Sequence, residues 1–183
     1  MRTTTLLLLL GAGGLGLAAL VAGSNAADTG TPDSRRPSFR QRVVNAAVSQ
    51  LGLTDAAPYI EDALGYPAQE RYWCGMFALW AIHQAGLIPN VLWELGTGFA
   101  SQHLKQINAN QLGPGDVVYF HEPWQHHAIV EWVDHSKGLM STINGNGAGG
   151  AVTRVVRPIS DPDAYYSIGE LGNDNGELQG VAV

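Results

Sequence analysis

The only cysteine of the 183-residue chain, Cys74, is the first candidate for chemistry. It lies in the segment YWCGMFALW, after which apolar residues recur at three- and four-residue spacing until Gly86. This pattern predicts a buried helix with Cys74 in its first turn. Unpaired backbone N–H groups and the helix dipole favour a thiolate there, and Gly75 leaves room for a substrate carbonyl. The alternative is an inert role, since free cysteines are often buried apolar side chains.

A cysteine nucleophile needs a base that takes its proton and a third group that orients the base. The candidate bases are two adjacent histidines, His126 and His127, at the start of a strand-like apolar run. Side chains alternate across a strand, so only one of them can face the cysteine. Asn144 or Asn146, at the end of another predicted strand, can accept a hydrogen bond from the far imidazole nitrogen and fix its tautomer.

The elements that must position these residues change from helical to extended along the chain. Helical periodicity recurs in the first half, at residues 39–51, 55–64, 74–85 and 99–107. Strand-like runs follow a turn at 111–116 and lie at residues 117–120, 128–133, 139–144, 152–156 and 165–168. Helices first and strands afterwards predict an α+β domain with a mostly antiparallel sheet of about five strands.

Residues 1–26 are typical of an export signal. Arg2 gives a positive start, an apolar run extends to Val21, and Ser24 and Ala26 offer a cleavage site after Ala26. An uncleaved membrane anchor is the alternative, but the run is rich in glycine and shorter than the ~20 residues that a span needs. We therefore expect a secreted protein of the periplasm or cell wall, without a stable membrane anchor.

The rest of the chain divides into a linker at 27–37, one catalytic domain at 38–168 and a flexible acidic tail at 169–183. Ten Lys and Arg against sixteen Asp and Glu give a formal charge of −6, which becomes −7 when Arg2 is removed with the signal. An acidic chain of this kind argues against general nucleic-acid binding. A local basic cluster either contacts an anionic polymer or is a solvated helix start; its members are Arg35, Arg36, Arg40 and Arg42.

Metal chemistry is a weaker interpretation of the histidines. A zinc site would have to use His121, His126 and His127 beside Asp116, and these residues lack any recognised ligand spacing. We therefore expect neither a metal nor another cofactor.

Five segments, in order, resemble a CHAP domain, a branch of the papain-like cysteine amidases related to the NlpC/P60 group. They are YWCGMF at 72–77, AG at 85–86, GPGDVVYF at 113–120, HHAIV at 126–130 and TINGN at 142–146. Their order and spacing match from about Phe39 to Val156. The resemblance implies a papain-like fold in which N-terminal helices, with the nucleophile at a helix N-terminus, pack on an antiparallel sheet.

The same resemblance implies a role for each candidate residue. It makes Cys74 the nucleophile, places the histidine on His126 and not on His127, and places the orienting residue on Asn144. Asn146 is then a second polar residue at the site, where it would contact substrate. Trp73 and Trp124 are expected to line the cleft, whereas Trp93 belongs either to the core or to the cleft wall.

The implied activity is that of an exported peptidoglycan hydrolase that cleaves an amide bond through a thioester intermediate. The bond would be that of a muramoyl-alanine amidase, a stem-peptide endopeptidase or a cross-bridge endopeptidase. Two alternatives stay open: a secreted cysteine amidase toxin acting on another substrate, and a catalytically silent module that binds the cell wall. No cell-wall-binding repeat accompanies the domain, so targeting would come from the domain itself or from a partner protein.

Overall fold

The computed structural model describes residues 37–86, 98–121, 123 and 125–169. The predicted signal peptide, the linker before Pro37 and the acidic tail after Gly169 lie outside these residues. Within the described ranges, no helix combines the length and the apolar character needed to cross a bilayer.

Four α-helices precede all six strands in the described part of the chain. They are α1 (Phe39–Ser49), α2 (Ala57–Leu64), α3 (Cys74–Gln84) and α4 (Gly98–His103). Helix α1 begins where the Ser38 hydroxyl accepts a hydrogen bond from the Gln41 N–H, as predicted for an N-cap. Helix α2 ends at Gly65, whose positive φ of 76° is favourable only for a residue without a side chain.

Six strands of the described chain form one antiparallel sheet. They are β1 (Lys105–Ile107), β2 (Val117–Phe120), β3 (His126–Asp134), β4 (Leu139–Asn144), β5 (Thr153–Pro158) and β6 (Ala164–Ser167). Their order across the sheet is β1-β6-β2-β3-β4-β5. The protein is therefore an α+β protein with an antiparallel sheet, and it has one strand more than the sequence predicted.

The additional strand corrects the predicted helix at residues 99–107. Helix α4 ends at His103, and the chain then becomes extended as β1. Strand β1 pairs with β6, so that Lys105 lies opposite Ser167 and Ile107 lies opposite Tyr165. The backbone hydrogen bonds of this long-range pairing outweigh the local helical periodicity, which cannot register a partner some 60 residues away.

The two faces of the sheet are buried in different ways. One face packs against the helices and contributes Val117, Tyr119, Ile129 and Ile143 to the main core. The opposite face carries a second cluster that includes Val118, Phe120, Ala128 and Met140. Helix α3 is buried along most of its length, from Cys74 to Ile82, so it forms the centre of the helical layer.

Arg40 of the predicted basic cluster has a structural role. Its guanidinium contacts the fully buried Asp116 at 2.6 Å and the Ser167 hydroxyl at 2.7 Å. Asp116 also accepts hydrogen bonds from the N–H groups of Gly113 and Ile168. The pair thus links α1 to the turn before β2 and to the end of β6. The partners of the buried carboxylate satisfy a charge that would otherwise be costly to bury.

Gly145, directly after β4, allows α3 to approach the sheet. A Cβ added there would overlap the Phe77 side chain of α3, lying 2.7 Å from its Cγ. The constraint is space, because Gly145 is not among the glycines with a positive φ. Since Gly145 stands between Asn144 and Asn146, this close packing also determines where both asparagines lie relative to α3.

We expect Gly145→Ala to lower the free energy of unfolding by about 1–3 kcal/mol, because the added methyl group overfills a close-packed contact. Urea unfolding followed by circular dichroism measures the change. Gly113→Ala is the matched control, since its Cβ would meet its nearest neighbours only at 3.7 and 3.9 Å. Equal stability of the two variants would contradict a steric requirement at residue 145.

Candidate active site

Cys74 is the first residue of α3, and its side chain is only 7% exposed. Its Sγ lies 3.8 Å from the carbonyl oxygen of Gln125. Burial raises the pKa of the thiol, and hydrogen bonding to the backbone of His127, Gly75 and Cys74 lowers it only in part. Cys74 is therefore a neutral thiol at rest, and it lies beside the backbone of Gln125 and His127.

His126 begins β3 and lies on the face of the sheet opposite the helices, where its ring is 6.1 Å from that of Phe120. Its Nε2 is 3.0 Å from Asn144 Oδ1. Burial lowers the pKa of His126, the hydrogen bond to Asn144 Oδ1 partly opposes this, and the positive charge of Arg157 adds to the lowering. The imidazole is thus neutral at physiological pH.

The amide of Asn144 fixes which imidazole nitrogen carries the proton. Asn144 is 2% exposed, and its Nδ2 donates to the Thr142 carbonyl at 3.0 Å, to Thr142 Oγ1 at 3.1 Å and to the Thr153 carbonyl at 3.4 Å. Because acceptors surround the amide nitrogen, the hydrogen-bond network assigns Oδ1 to the side that faces His126. His126 Nε2 must then donate, which leaves the lone pair on Nδ1 available as a base.

Cys74 and His126 open into one cleft of about 430 Å³. The other described residues that line it are Arg71, Tyr72, Phe120, Pro123, Gln125, Asn146 and Arg157. Asn144 is buried behind His126 and does not line the cleft. The structure thus brings together the three residues that the sequence singled out: a thiol and an imidazole at the surface of one cleft, with an amide that holds the imidazole from behind.

His127 is placed elsewhere. Its ring lies 5.0 Å from that of Tyr119, whose side chain belongs to the helix-side core, and the residue is only 2% exposed. Burial and the neighbouring His126 lower the pKa of His127 to about 3. The side chain is therefore a neutral core residue, and the backbone of His127 lowers the pKa of the Cys74 thiol.

The predicted substrate-contacting residues have different surroundings. Asn146 lines the cleft with a left-handed backbone (φ 53°), and its Nδ2 donates to the Arg71 carbonyl at 3.0 Å, which ties the two loops beside Cys74 together. Trp73, expected in the cleft wall, lies instead in the core, 4% exposed and stacked on Tyr59 at 5.3 Å. Trp93 and Trp124 lie outside the described residues.

Arg157, a cleft residue, was missed in the sequence. Its backbone lies in β5 opposite Met140, so its side chain shares the face of the second apolar cluster. The alternation of side chains along residues 153–158 could have revealed it, because it turns Arg157 to the same partly buried face of the strand as Thr153 and Val155. A cation at an inward position of a strand is a reason to expect a binding role.

The described residues contain no group of three His, Cys, Asp or Glu side chains arranged to hold a metal ion. His121 of the considered zinc set is exposed, and its backbone N–H donates to Asp163. His127 lies in the core, and Asp116 is bonded to Arg40. The histidines considered for zinc therefore do not converge with Asp116.

Comparison with known proteins adds little to this geometry. No protein-family model matches the chain, and no curated protein matches it. Among solved structures, the crystal structure of Ly7917 matches with a TM-score of 0.46 and 16% sequence identity, over 70% of this chain and 61% of that one. The chain thus spans less than two thirds of the structure that it matches.

The raised pKa of Cys74 predicts slow alkylation at neutral pH. The rate with iodoacetamide should rise with pH through a midpoint above the ordinary thiol value of 9.0, since only the thiolate reacts and burial disfavours it. Mass spectrometry follows the reaction at a single site, because the chain has one cysteine. The midpoint should fall back to the ordinary range in urea, and a reactive plateau below pH 7 in the folded protein would contradict the neutral thiol.

Proposed function

We propose that this protein is an exported cysteine amidase with the papain-like fold of CHAP domains and that it hydrolyses an amide bond in peptidoglycan. The observation that carries the proposal is the hydrogen bond between His126 Nε2 and the buried Asn144 Oδ1, since His126 lines the same cleft as Cys74, which stands at the start of a buried helix. The order of the sequence motifs supports the choice of substrate.

The first half of the reaction forms a thioester. The Cys74 thiol gives its proton to Nδ1 of His126 as the sulfur attacks the carbonyl carbon of the substrate. Because burial raises the pKa of the thiol and lowers that of the imidazole, the two groups are neutral at rest. The proton transfer therefore accompanies the attack and does not precede it.

The start of α3 provides donors for the negative charge that develops on the carbonyl oxygen. The first N–H groups of a helix have no carbonyl partner within it, and the first such bond here runs from the Phe77 N–H to the Trp73 carbonyl. The backbone groups of Cys74 and Gly75 also lower the pKa of the thiol, as expected for donors close to the sulfur. A backbone donor in such an oxyanion site is worth about 3–4 kcal/mol of barrier.

The second half of the reaction returns the enzyme to its resting state. The imidazolium of His126 protonates the leaving amine as the C–N bond breaks, and the acyl group stays on Cys74 as a thioester. Water then attacks the thioester while His126 takes its proton, the C–S bond breaks, and the proton returns to the sulfur. Asn144 holds the imidazole in one tautomer through both steps.

Digestion of purified peptidoglycan, with products identified by mass spectrometry, tests the proposal. We expect the mature protein to release fragments and Cys74→Ala and His126→Ala to release none, because each removes a group that reacts. His127→Val is the matched control and should stay active, since its side chain lies in the core. The new chain ends identify the bond and hence separate a muramoyl-alanine amidase from an endopeptidase.

Fragment release by Cys74→Ala would refute the proposed mechanism. Absence of release by the folded wild-type protein would refute the choice of substrate. Binding to peptidoglycan without new amine ends would then indicate a silent binding module, and cleavage of a protein amide would indicate a toxin amidase.

Asn144→Ala should lower kcat by about 10- to 100-fold with little change in KM, because His126 would lose its orientation but would still be present. This loss is a part of the 10²- to 10⁴-fold that a positioned general acid or base contributes. The acid limb of kcat/KM in the wild type should lie below pH 6.5, because burial lowers the pKa of His126 and the neutral form must accept the proton. Loss of the Asn144 hydrogen bond, which raises this pKa, should move the limb further down.

Asn45→Ala on the exposed face of α1 is the control for the loss of an asparagine side chain. A fall in kcat with an unmoved acid limb would mean that Asn144 supports the fold alone and does not position His126.

A further inference from the structure

The candidate cleft carries a charge opposite to that of the chain. The protein as a whole has a formal charge of −6. Apart from Cys74 and His126, the ionisable side chains that carry charge among the described lining residues are Arg71 and Arg157, and none of these lining residues is Asp or Glu. An anionic ligand would therefore meet two cations among the described lining residues of a negative protein, where the surrounding low dielectric strengthens the attraction.

Arg157 reaches this cleft from β5, the strand at one edge of the sheet. Its strand, β5, is separated from β2 by β3 and β4, yet its guanidinium carbon lies 4.4 Å from the ring centroid of Phe120 in β2. The side chain thus extends across the face of the sheet opposite the helices, toward His126. Stacking on an aromatic face holds the planar guanidinium in a fixed orientation while its edge remains available.

The guanidinium of Arg157 is not fully satisfied within the described residues. Its Nε is buried there without a hydrogen-bond partner. Asp161 acts on it through its charge, but no ion pair joins the two in the described part of the chain. Burial lowers the pKa of Arg157, as expected for a cation that has lost water without gaining a carboxylate. A buried donor without an acceptor is costly, and a bound anion removes that cost.

Arg71 lies three residues before Cys74 in the sequence and also lines the cleft. It is exposed, and its guanidinium lies 5.4 Å from the Tyr72 ring centroid. Its backbone carbonyl accepts the hydrogen bond from Asn146, which fixes the position of this loop. Two guanidinium groups on aromatic rings therefore line the cleft that holds the thiol.

We propose that Arg157, assisted by Arg71, forms an anion subsite that selects acyl substrates with a carboxylate beside the scissile amide. A guanidinium group pairs with a carboxylate through two parallel hydrogen bonds, which gives orientation as well as attraction. This subsite deepens the proposed amidase function and rests on it for the identity of the scissile bond. The competing explanation is that Arg157 only packs on Phe120, which predicts no preference for anions.

Two alkylating agents that differ in one charge test the subsite without any substrate. Iodoacetate carries a carboxylate and iodoacetamide is its neutral counterpart, and the two alkylate Cys74 by the same displacement of iodide. The measured quantity is the rate with iodoacetate divided by the rate with iodoacetamide, relative to the same ratio for glutathione. We expect it to fall about three- to tenfold in Arg157→Gln, which is the effect of one unscreened charge within the cleft. A change in the thiol pKa affects the two rates alike and cancels in the ratio.

Arg154→Gln is the matched control. It removes the same charge from the same strand, but Arg154 is exposed and paired with Glu131 at 2.6 Å. Its ratio should stay within about twofold of the wild type, as expected for a screened surface charge. An equal fall in the two variants, or an unchanged ratio in Arg157→Gln, would overturn the subsite. If Arg157→Gln does not fold, two other measurements replace it. Arg157→Lys should keep part of the preference for iodoacetate over iodoacetamide. The wild-type protein should lose this preference in 1 M salt, where the Debye length is about 3 Å.

A pair of acyl peptides extends the test to catalysis. They differ only in a carboxylate or carboxamide next to the scissile bond, and their kcat/KM ratio should favour the acid in the wild type and fall in Arg157→Gln. Equal kcat/KM values for the pair in the wild type would overturn the selectivity. If peptidoglycan is not cleaved but the iodoacetate preference depends on Arg157, the proposed substrate fails while the anion subsite stands.

Discussion

The packing of α3 against the ends of β3 and β4 is the contact on which the site depends. Phe77 fills the space that Gly145 leaves empty, and one turn earlier Cys74 meets the backbone at residues 125–127. The helix provides the sulfur and the unpaired N–H groups, whereas the strands provide the imidazole and its amide partner. A small displacement of α3 would separate these groups even though each element stayed intact, because interiors are too closely packed to deform gradually.

Burial gives the site its electrostatic character. The thiol and the imidazole are neutral because removal from water disfavours the charged form of each. Such a site does not hold a ready thiolate. In the proposed mechanism the proton passes from sulfur to Nδ1 during attack, so the orientation of Asn144 would matter. Three acceptors hold its amide nitrogen, so the tautomer of His126 follows from the fold of β4 and β5.

The local patterns of the sequence predicted most of the site but only part of its surroundings. The start of α3, the N-cap at Ser38 and the strand that ends at Asn144 were predictable because each depends on neighbouring residues. Strand β1 was not, since its hydrogen bonds go to β6. Trp73 was assigned to the cleft because an aromatic residue beside a nucleophile fits either a binding surface or a core, and only its stack on Tyr59 distinguishes the two. Alternation showed only that His126 and His127 face opposite sides of the sheet, and the contact with Asn144 together with the place in the cleft lining distinguishes His126.

The division of the sheet into two faces separates the parts of the candidate chemistry. The helix-side face receives α3, whose first residue, Cys74, reaches the cleft at the start of β3, while the opposite face carries His126, Phe120 and the guanidinium of Arg157. The proposed base and the proposed anion subsite therefore share one surface, and they are coupled, because the positive charge of Arg157 contributes to the lowered pKa of His126. A carboxylate bound to Arg157 would weaken that effect and make His126 a stronger base. An acidic substrate would in this way increase the basicity of the group that must accept the thiol proton, so selection and activation would arise from the same ion pair.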